Sequence, residues 1–212
     1  DTWTHPVDSA GKVSQFGVLT HLDLPKAKKS LQVIPHVISK LERGKEANVE
    51  AGIDIRYAFS KTVSADLTVN PDFATIEADQ EEINLTRFET SLKEKRKFFL
   101  EGSEIYSQRI RLFYSRRISD IHGGLKLYGK TKDYEFAVMS AQAKNDPDDG
   151  YMDDSSNFSV VRFRKRFLQS SSIGFLAANK LVDGKMSGSA GLDLLHFFSD
   201  KVLLIISLVT TT

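Results

Sequence analysis

The chain has 212 residues, 41% of them hydrophobic and 27% charged, with a formal net charge of +1 and no cysteine. The near-neutral charge, with no basic tail, argues against a nucleic-acid binder. The lack of cysteine excludes disulfides, thiolate zinc sites and cysteine nucleophiles.

No window approaches the run of about 18 apolar residues that a transmembrane helix needs. Mean hydropathy is −0.27, which a membrane barrel tolerates because only alternate residues of each strand meet lipid. The chain starts at Asp1 with neither Met nor signal peptide, as expected of a mature or excised piece.

Residues 1–28 form an irregular lead-in with Pro6, Gly11, Gly17 and Pro25, and Phe16–Leu22 is a candidate first strand. Strand-like segments then run from 29 to 212. In Ser30–Ser39, Pro35 predicts a bulge or an interrupted ladder. Val49, Ala51, Ile53, Ile55, Tyr57 and Phe59 alternate with Asn48, Glu50, Gly52, Asp54 and Arg56, an unbroken period of two that specifies a strand. Val63, Ala65, Leu67 and Val69 repeat the pattern after the polar Ser60-Lys61-Thr62, so the two segments form a hairpin.

Beyond 120, Ile121, Gly123, Leu125, Leu127 and Gly129 oppose His122, Lys126 and Lys130, and Tyr134, Phe136 and Val138 continue the apolar face. Over 156–168, Val161, Phe163 and Phe167 oppose Arg162, Arg164 and Arg166, with Lys165 breaking the apolar side. Further strands are expected at 171–181, 188–198 and 201–210, for a total of about ten. Val202–Val209 is apolar on both faces, as in a buried strand or one whose neighbours lie elsewhere.

The links at Ser60–Thr62, Lys132-Asp133, Gln169–Ser171 and Ser199–Lys201 are tight, whereas those at 74–119, 145–156 and 182–187 are longer. Alternating short and long connections suit an antiparallel up-and-down transmembrane β-barrel, with short turns on one side of the membrane and longer loops outside. Tyr57, Phe59, Tyr134 and Phe136 at the short-turn ends suit an interfacial aromatic girdle. The apolar face would meet lipid. The polar face carries Arg56, Lys126, Arg162, Arg164 and Arg166 with Glu50, Asp54, Asp66, Glu135 and Asp193, and would line a water-filled or plugged lumen.

The stretch 74–119 has a composition of its own. Leu85, Phe88, Leu92 and Phe99 fit one helical stripe, and Asp79 with Glu82 resembles a capping box, which predicts an amphipathic helix over about 80–93. The motifs Thr68-Val-Asn-Pro-Asp-Phe, Ile76-Glu-Ala-Asp, Ile83-Asn-Leu-Thr-Arg-Phe-Glu, Glu94-Lys-Arg-Lys-Phe-Phe-Leu-Glu-Gly and Leu112-Phe-Tyr-Ser-Arg-Arg-Ile follow in order. Over about residues 48–130 the chain resembles domain of unknown function 5916, a family of bacterial outer-membrane proteins. That resemblance implies a Gram-negative outer-membrane location and a C-terminal β-barrel, typically preceded by a sandwich similar to family 9 carbohydrate-binding modules. It also implies that this chain is the N-terminal part of a larger barrel. Lys93 and Lys97 stand where the family commonly carries proline.

The acidic residues Asp72, Glu77, Asp79, Glu81, Glu82 and Glu89 match no calcium loop, and surface charge pairing accounts for them better than calcium or a hydrolytic carboxylate pair. Asp146-Pro-Asp-Asp-Gly with Asp153 and Asp154 reads as a solvated turn rather than a cation site. Arg116-Arg117 after Phe113-Tyr114 suits either a phosphate or lipopolysaccharide head group or, preferably, an internal salt bridge. The histidines His5, His21, His36, His122 and His196 have no metal-ligand spacing, and there is no nucleophile elbow or phosphate loop.

No catalytic, cofactor or metal residues are therefore assigned. The expectation is a non-enzymatic pore, transport or surface-binding component whose partners are outer-membrane lipid, with glycans or other envelope proteins as further candidates, and not nucleic acid. The alternative is a carbohydrate-binding β-domain accessory to polysaccharide degradation, against which stands the single Trp3 in the irregular lead-in. A soluble ligand-binding barrel would instead turn its apolar residues inward.

Overall fold

The computed structural model describes residues 29–40, 48–73, 92–118, 120–144, 156–168, 171–199 and 202–211. The strands are β1 (Ser30–Lys40), β2 (Asn48–Ala58), β3 (Val63–Val69), β4 (Ile121–Lys130), β5 (Tyr134–Ala143), β6 (Asn157–Phe167), β7 (Ser171–Val182), β8 (Lys185–Ser199) and β9 (Val202–Thr211). They form one nine-stranded antiparallel sheet in sequence order, each paired with the next.

The all-β, up-and-down part of the expectation holds, but the sheet is open rather than a closed barrel. Among the described residues β1 and β9 are left as its two edges. In an up-and-down order the ninth strand runs parallel to the first, so β1 and β9 cannot close the sheet with an antiparallel ladder.

Three local expectations are corrected. Pro35 interrupts nothing: β1 pairs with β2 in continuous register from Ser30↔Ala58 to Lys40↔Asn48. An edge strand tolerates proline because the missing donor can fall on its open side. Residues 182–187 are not a long loop, since β7 and β8 are joined by Asp183-Gly184 alone, both at positive φ (47° and 75°). Asp-Gly is the sequence signature of such a two-residue turn.

Ile121 is not on the exposed apolar face. A register shift between Ile121 and Gly123 turns it to the other side, where it is fully buried. The candidate strand at 16–22 and the helix over 80–91 lie outside the described residues, while Leu92–Arg96 have no regular structure and a single helical turn, α1, spans Lys97–Leu100.

Register fixes the two faces. One carries apolar rows such as Leu127↔Val138↔Val161↔Ala177 and Phe136↔Phe163↔Phe175↔Leu192↔Leu208. Its side chains are exposed, Val138 by 46% and Leu192 by 49%. The other face carries the charges, and it holds the core. Phe98, Phe99, Ile105, Tyr106 and Ile118, all from the β3–β4 connection, pack there on Ala137, Met139, Ala141, Val160 and Leu176.

Candidate functional site: a connection seated on the charged face

Asn70 starts the connection in a left-handed conformation (φ 47°), and its polar atoms are bound on three sides. His36 Nε2 lies 3.0 Å from its carbonyl, its Nδ2 donates to Ala51 O at 2.9 Å, and Lys144 Nζ donates to its Oδ1 at 2.6 Å. Gly52 makes room for this turn, because a Cβ there would lie 2.1 Å from Asn70 O.

Within the connection, Arg96 is the internal tie. Its Nε and Nη2 donate to Glu94 (2.9 and 2.8 Å), and its Nη1 and Nη2 donate to the carbonyls of Ile118 and Ser115 (2.5 and 2.8 Å). Its guanidinium also stands 4.3 Å from the centroid of Phe99. Residues 94–118 are thus held together before any strand is counted. Ser115 Oγ donates to Glu94 Oε2 at 2.6 Å. Burial pushes the Glu94 carboxyl up, but the bonds from Arg96 and Ser115 outweigh it and hold the group below its usual range.

Three charged groups of the sheet seat this unit. In the first, Arg56 Nε donates to Asp66 Oδ1 at 2.9 Å, and Arg56 Nη2 meets Glu101 Oε1 at 3.1 Å. Lys126, with a fully buried side chain, lies 3.5 Å from Asp66 and donates to the carbonyls of Phe98 and of Glu101 (2.6 Å). In the second, Arg162 bonds Asp193 through two nitrogens (2.5 and 3.2 Å) and Ile105 O through Nε (3.3 Å), while Gln108 Nε2 donates to Asp193 Oδ1 at 2.6 Å. In the third, buried Glu135 faces Lys130, Arg164 and Arg166 at 3.3, 3.1 and 3.8 Å, and Arg164 also donates to Ser107 O. A fully buried cation survives only when its remaining donors are met, and carbonyls of the connection meet those of Lys126 (Phe98 and Glu101) and Arg162 (Ile105).

Of the predicted polar-face residues, Arg56, Asp66, Lys126, Glu135, Arg162, Arg164, Arg166 and Asp193 form this seat, the plugged form of the expected lining, while Asp54 accepts from Thr68 Oγ1 at 2.5 Å and Glu50 stands farther along β2. Only a water-sized void of about 30 Å³ remains beside Asp54, Arg56 and Asp66. Arg116 and Arg117 fall in a 3-10 turn, Ser115–Arg117. Of the acidic cluster only Asp72 lies among the described residues, and the Asp146–Asp154 loop lies outside them. Among the described residues no group of His, Asp or Glu is placed to hold a metal ion.

The residues that mattered without being singled out are Asn70, Gln108 and the glycines Gly124 and Gly174. A Cβ at Gly124 would meet the Phe98 ring at 2.6 Å, and one at Gly174 would meet Arg162 Nη1 at 2.8 Å. A glycine on the polar face of a strand, next to long charged neighbours, was the available signal.

The connection lies inside the span of the chain that a family model matches. Residues 30–126 match the domain of unknown function DUF5916. In this span the chain resembles the DUF5916 family, and the span takes in β1–β3, the whole described connection and the first part of β4. No curated protein and no solved structure matches the chain. The matched span includes Glu94-Lys-Arg-Lys-Phe-Phe-Leu-Glu-Gly, with Glu94, Arg96, Phe98, Phe99 and Glu101, so it supplies both the internal tie and the wedge that enters the seat.

Proposed function

We propose that this sheet forms part of an outer-membrane β-barrel, with its apolar face against lipid, its charged face toward the lumen and the β3–β4 connection occupying that lumen. One observation carries the reading: burial is inverted relative to a water-soluble sheet. Lys126 and Arg162 have fully buried side chains, whereas Leu31, Val37, Leu125, Phe163 and Leu208 are 45–71% exposed on the opposite face. Soluble monomers rarely leave contiguous apolar patches above a few hundred Å² in water. Lipid removes that penalty.

The aromatic and polar borders of the apolar face agree with this. Tyr57 and Phe59 stack edge to face at 4.7 Å, and Tyr134 stands 5.8 Å from Phe163, all toward the short-turn end. Toward the other end Ser140, Gln142, Asn157 and Ser159 join in a hydrogen-bonded polar band. No described helix is long and apolar enough to cross a membrane, which leaves strand crossing open.

The function this supports is that of a plugged pore, transport or surface-binding component, acting through steric and electrostatic occupation of a lumen and not through bond chemistry. Val138→Arg tests it. Arginine at mid-membrane costs about 2–4 kcal/mol, so the variant should lose that much stability when refolded into vesicles. An unchanged or improved stability, together with full solubility of the wild type without detergent, would place this face in water and end the membrane reading.

A further inference from the structure

The three charged groups that seat the connection differ in their balance of charge. In the first, Arg56 and Lys126 meet Asp66 and Glu101, two cations against two carboxylates. In the second, Arg162 meets Asp193, one against one. In the third, Lys130, Arg164 and Arg166 converge on Glu135, which leaves an excess of two positive charges. Among the described residues Glu135 is the one carboxylate within ion-pair distance of those three cations. The β4–β5 turn beside them adds one charge of each sign, Lys132 and Asp133, and leaves the excess unchanged. Access differs as well. Lys126 and Arg162 have fully buried side chains, whereas those of Arg164, Arg166 and Lys130 are exposed by 25%, 40% and 53% at the short-turn end of the sheet.

We infer that this cluster binds a phosphate group in its dianionic form. An excess of two positive charges matches a dianion, whereas a monocarboxylate would leave one charge over. Donors are at hand. Arg166 donates to Thr131 O through Nη2 at 2.7 Å, and its Nε has no acceptor, so most of its five N–H groups stay available. Guanidinium groups meet tetrahedral oxyanions through paired N–H donors, which suits two arginines side by side. Ser172 stands directly opposite Arg166 on β7 and adds a neutral hydroxyl on the same face. Glu135 holds the three cations together against their mutual repulsion without neutralising them. The inference does not use the membrane reading; only the side from which the ligand arrives depends on it.

The test is calorimetric titration of inorganic phosphate into the full chain in detergent micelles, at mildly alkaline pH and low ionic strength, with acetate as the monoanionic comparison. Saturable one-site binding is expected for phosphate and not for acetate. Arg166→Gln should weaken it about tenfold or more, as for loss of a charge-assisted bond, and Arg166→Lys should keep most of the affinity. Ser172→Asp places a carboxylate opposite Arg166, so it should abolish phosphate binding while the melting temperature holds or rises. Should Arg166→Gln fail to fold, Lys130→Gln, at the most exposed of the three cations, reads the same loss. Phosphatidic acid added to the micelles identifies the source: competition supports the site as one for a lipid head group, and its absence as one for a soluble phosphate ester. The proposal is overturned by an absence of saturable heat, by acetate binding as tightly as phosphate, or by Arg166→Gln or Ser172→Asp binding as wild type does. Because binding is read in micelles, failure of the chain to insert into vesicles leaves this result untouched.

Discussion

Arg162 and Asp193 form a bidentate pair across an intervening strand: one stands on β6, the other on β8, and Gly174 of β7 lies beneath the bridge. The Arg162 side chain is fully buried, and among the described residues Asp193 is the carboxylate paired with it. Removing one member of such a pair leaves a desolvated charge. Asp193→Ala should cost about 3–5 kcal/mol, read from the urea midpoint of refolding. Asp193→Ala combined with Arg162→Met should recover much of that loss, and a double variant no better than the single would show that the pair does not hold the seat.

Gly124 bears on the docking of the connection more directly. Gly124→Val puts carbon atoms where the Phe98 ring lies, since even a Cβ would come within 2.6 Å of it. Overpacking of this kind costs about 1–3 kcal/mol. It should also lift the connection, so trypsin cleavage within 93–117 should quicken while the strands remain protected. An unchanged cleavage rate would mean that Phe98 is not the wedge.

Much of the sheet was legible because alternation is a local signal. β2 and β3 follow from Val49–Val69 directly, and the polar phase of Arg56, Lys126, Arg162 and Asp193 locates the charged face. Two errors came from features of one or two residues that alternation cannot register: His122 adds one residue to β4 and turns Ile121 inward, and Asp183-Gly184 closes a hairpin where a loop was expected. The seat itself was hidden for a different reason. Phe98 against Gly124, or Gln108 against Asp193, joins positions far apart in the chain, and no local pattern encodes that distance. Charges that suit a wet lumen suit a docked segment equally well until the carbonyls that meet them are known.

Glu94 links the connection to pH. Its folded-state affinity for protons is lowered from the ordinary value of 4.5, so its contribution to stability is complete above 4.5 and fades as pH falls through the lowered value. Glu94→Gln removes a charge-assisted contact worth about 1.5–3 kcal/mol. The gap in stability between wild type and Glu94→Gln should therefore be constant from pH 6 to 8 and shrink steadily in acid below about 4.5. A gap that widens in acid would reverse the assignment.

The long β3–β4 connection also sets an order of events. Most strand pairs are hairpins that form from residues close in the chain, but β3 finds β4 only after about fifty residues have been gathered in, and loop-closure entropy adds about 0.6 kcal/mol for each doubling of that length. The seat for Phe98, Ile105 and Ile118 is built largely from β4–β7, downstream of the segment it receives. The connection must therefore wait, unpaired, for later strands to emerge. Agents that bind extended apolar segments would act on the chain during that interval, and the β3–β4 seam should be the last ladder to gain protection from hydrogen exchange.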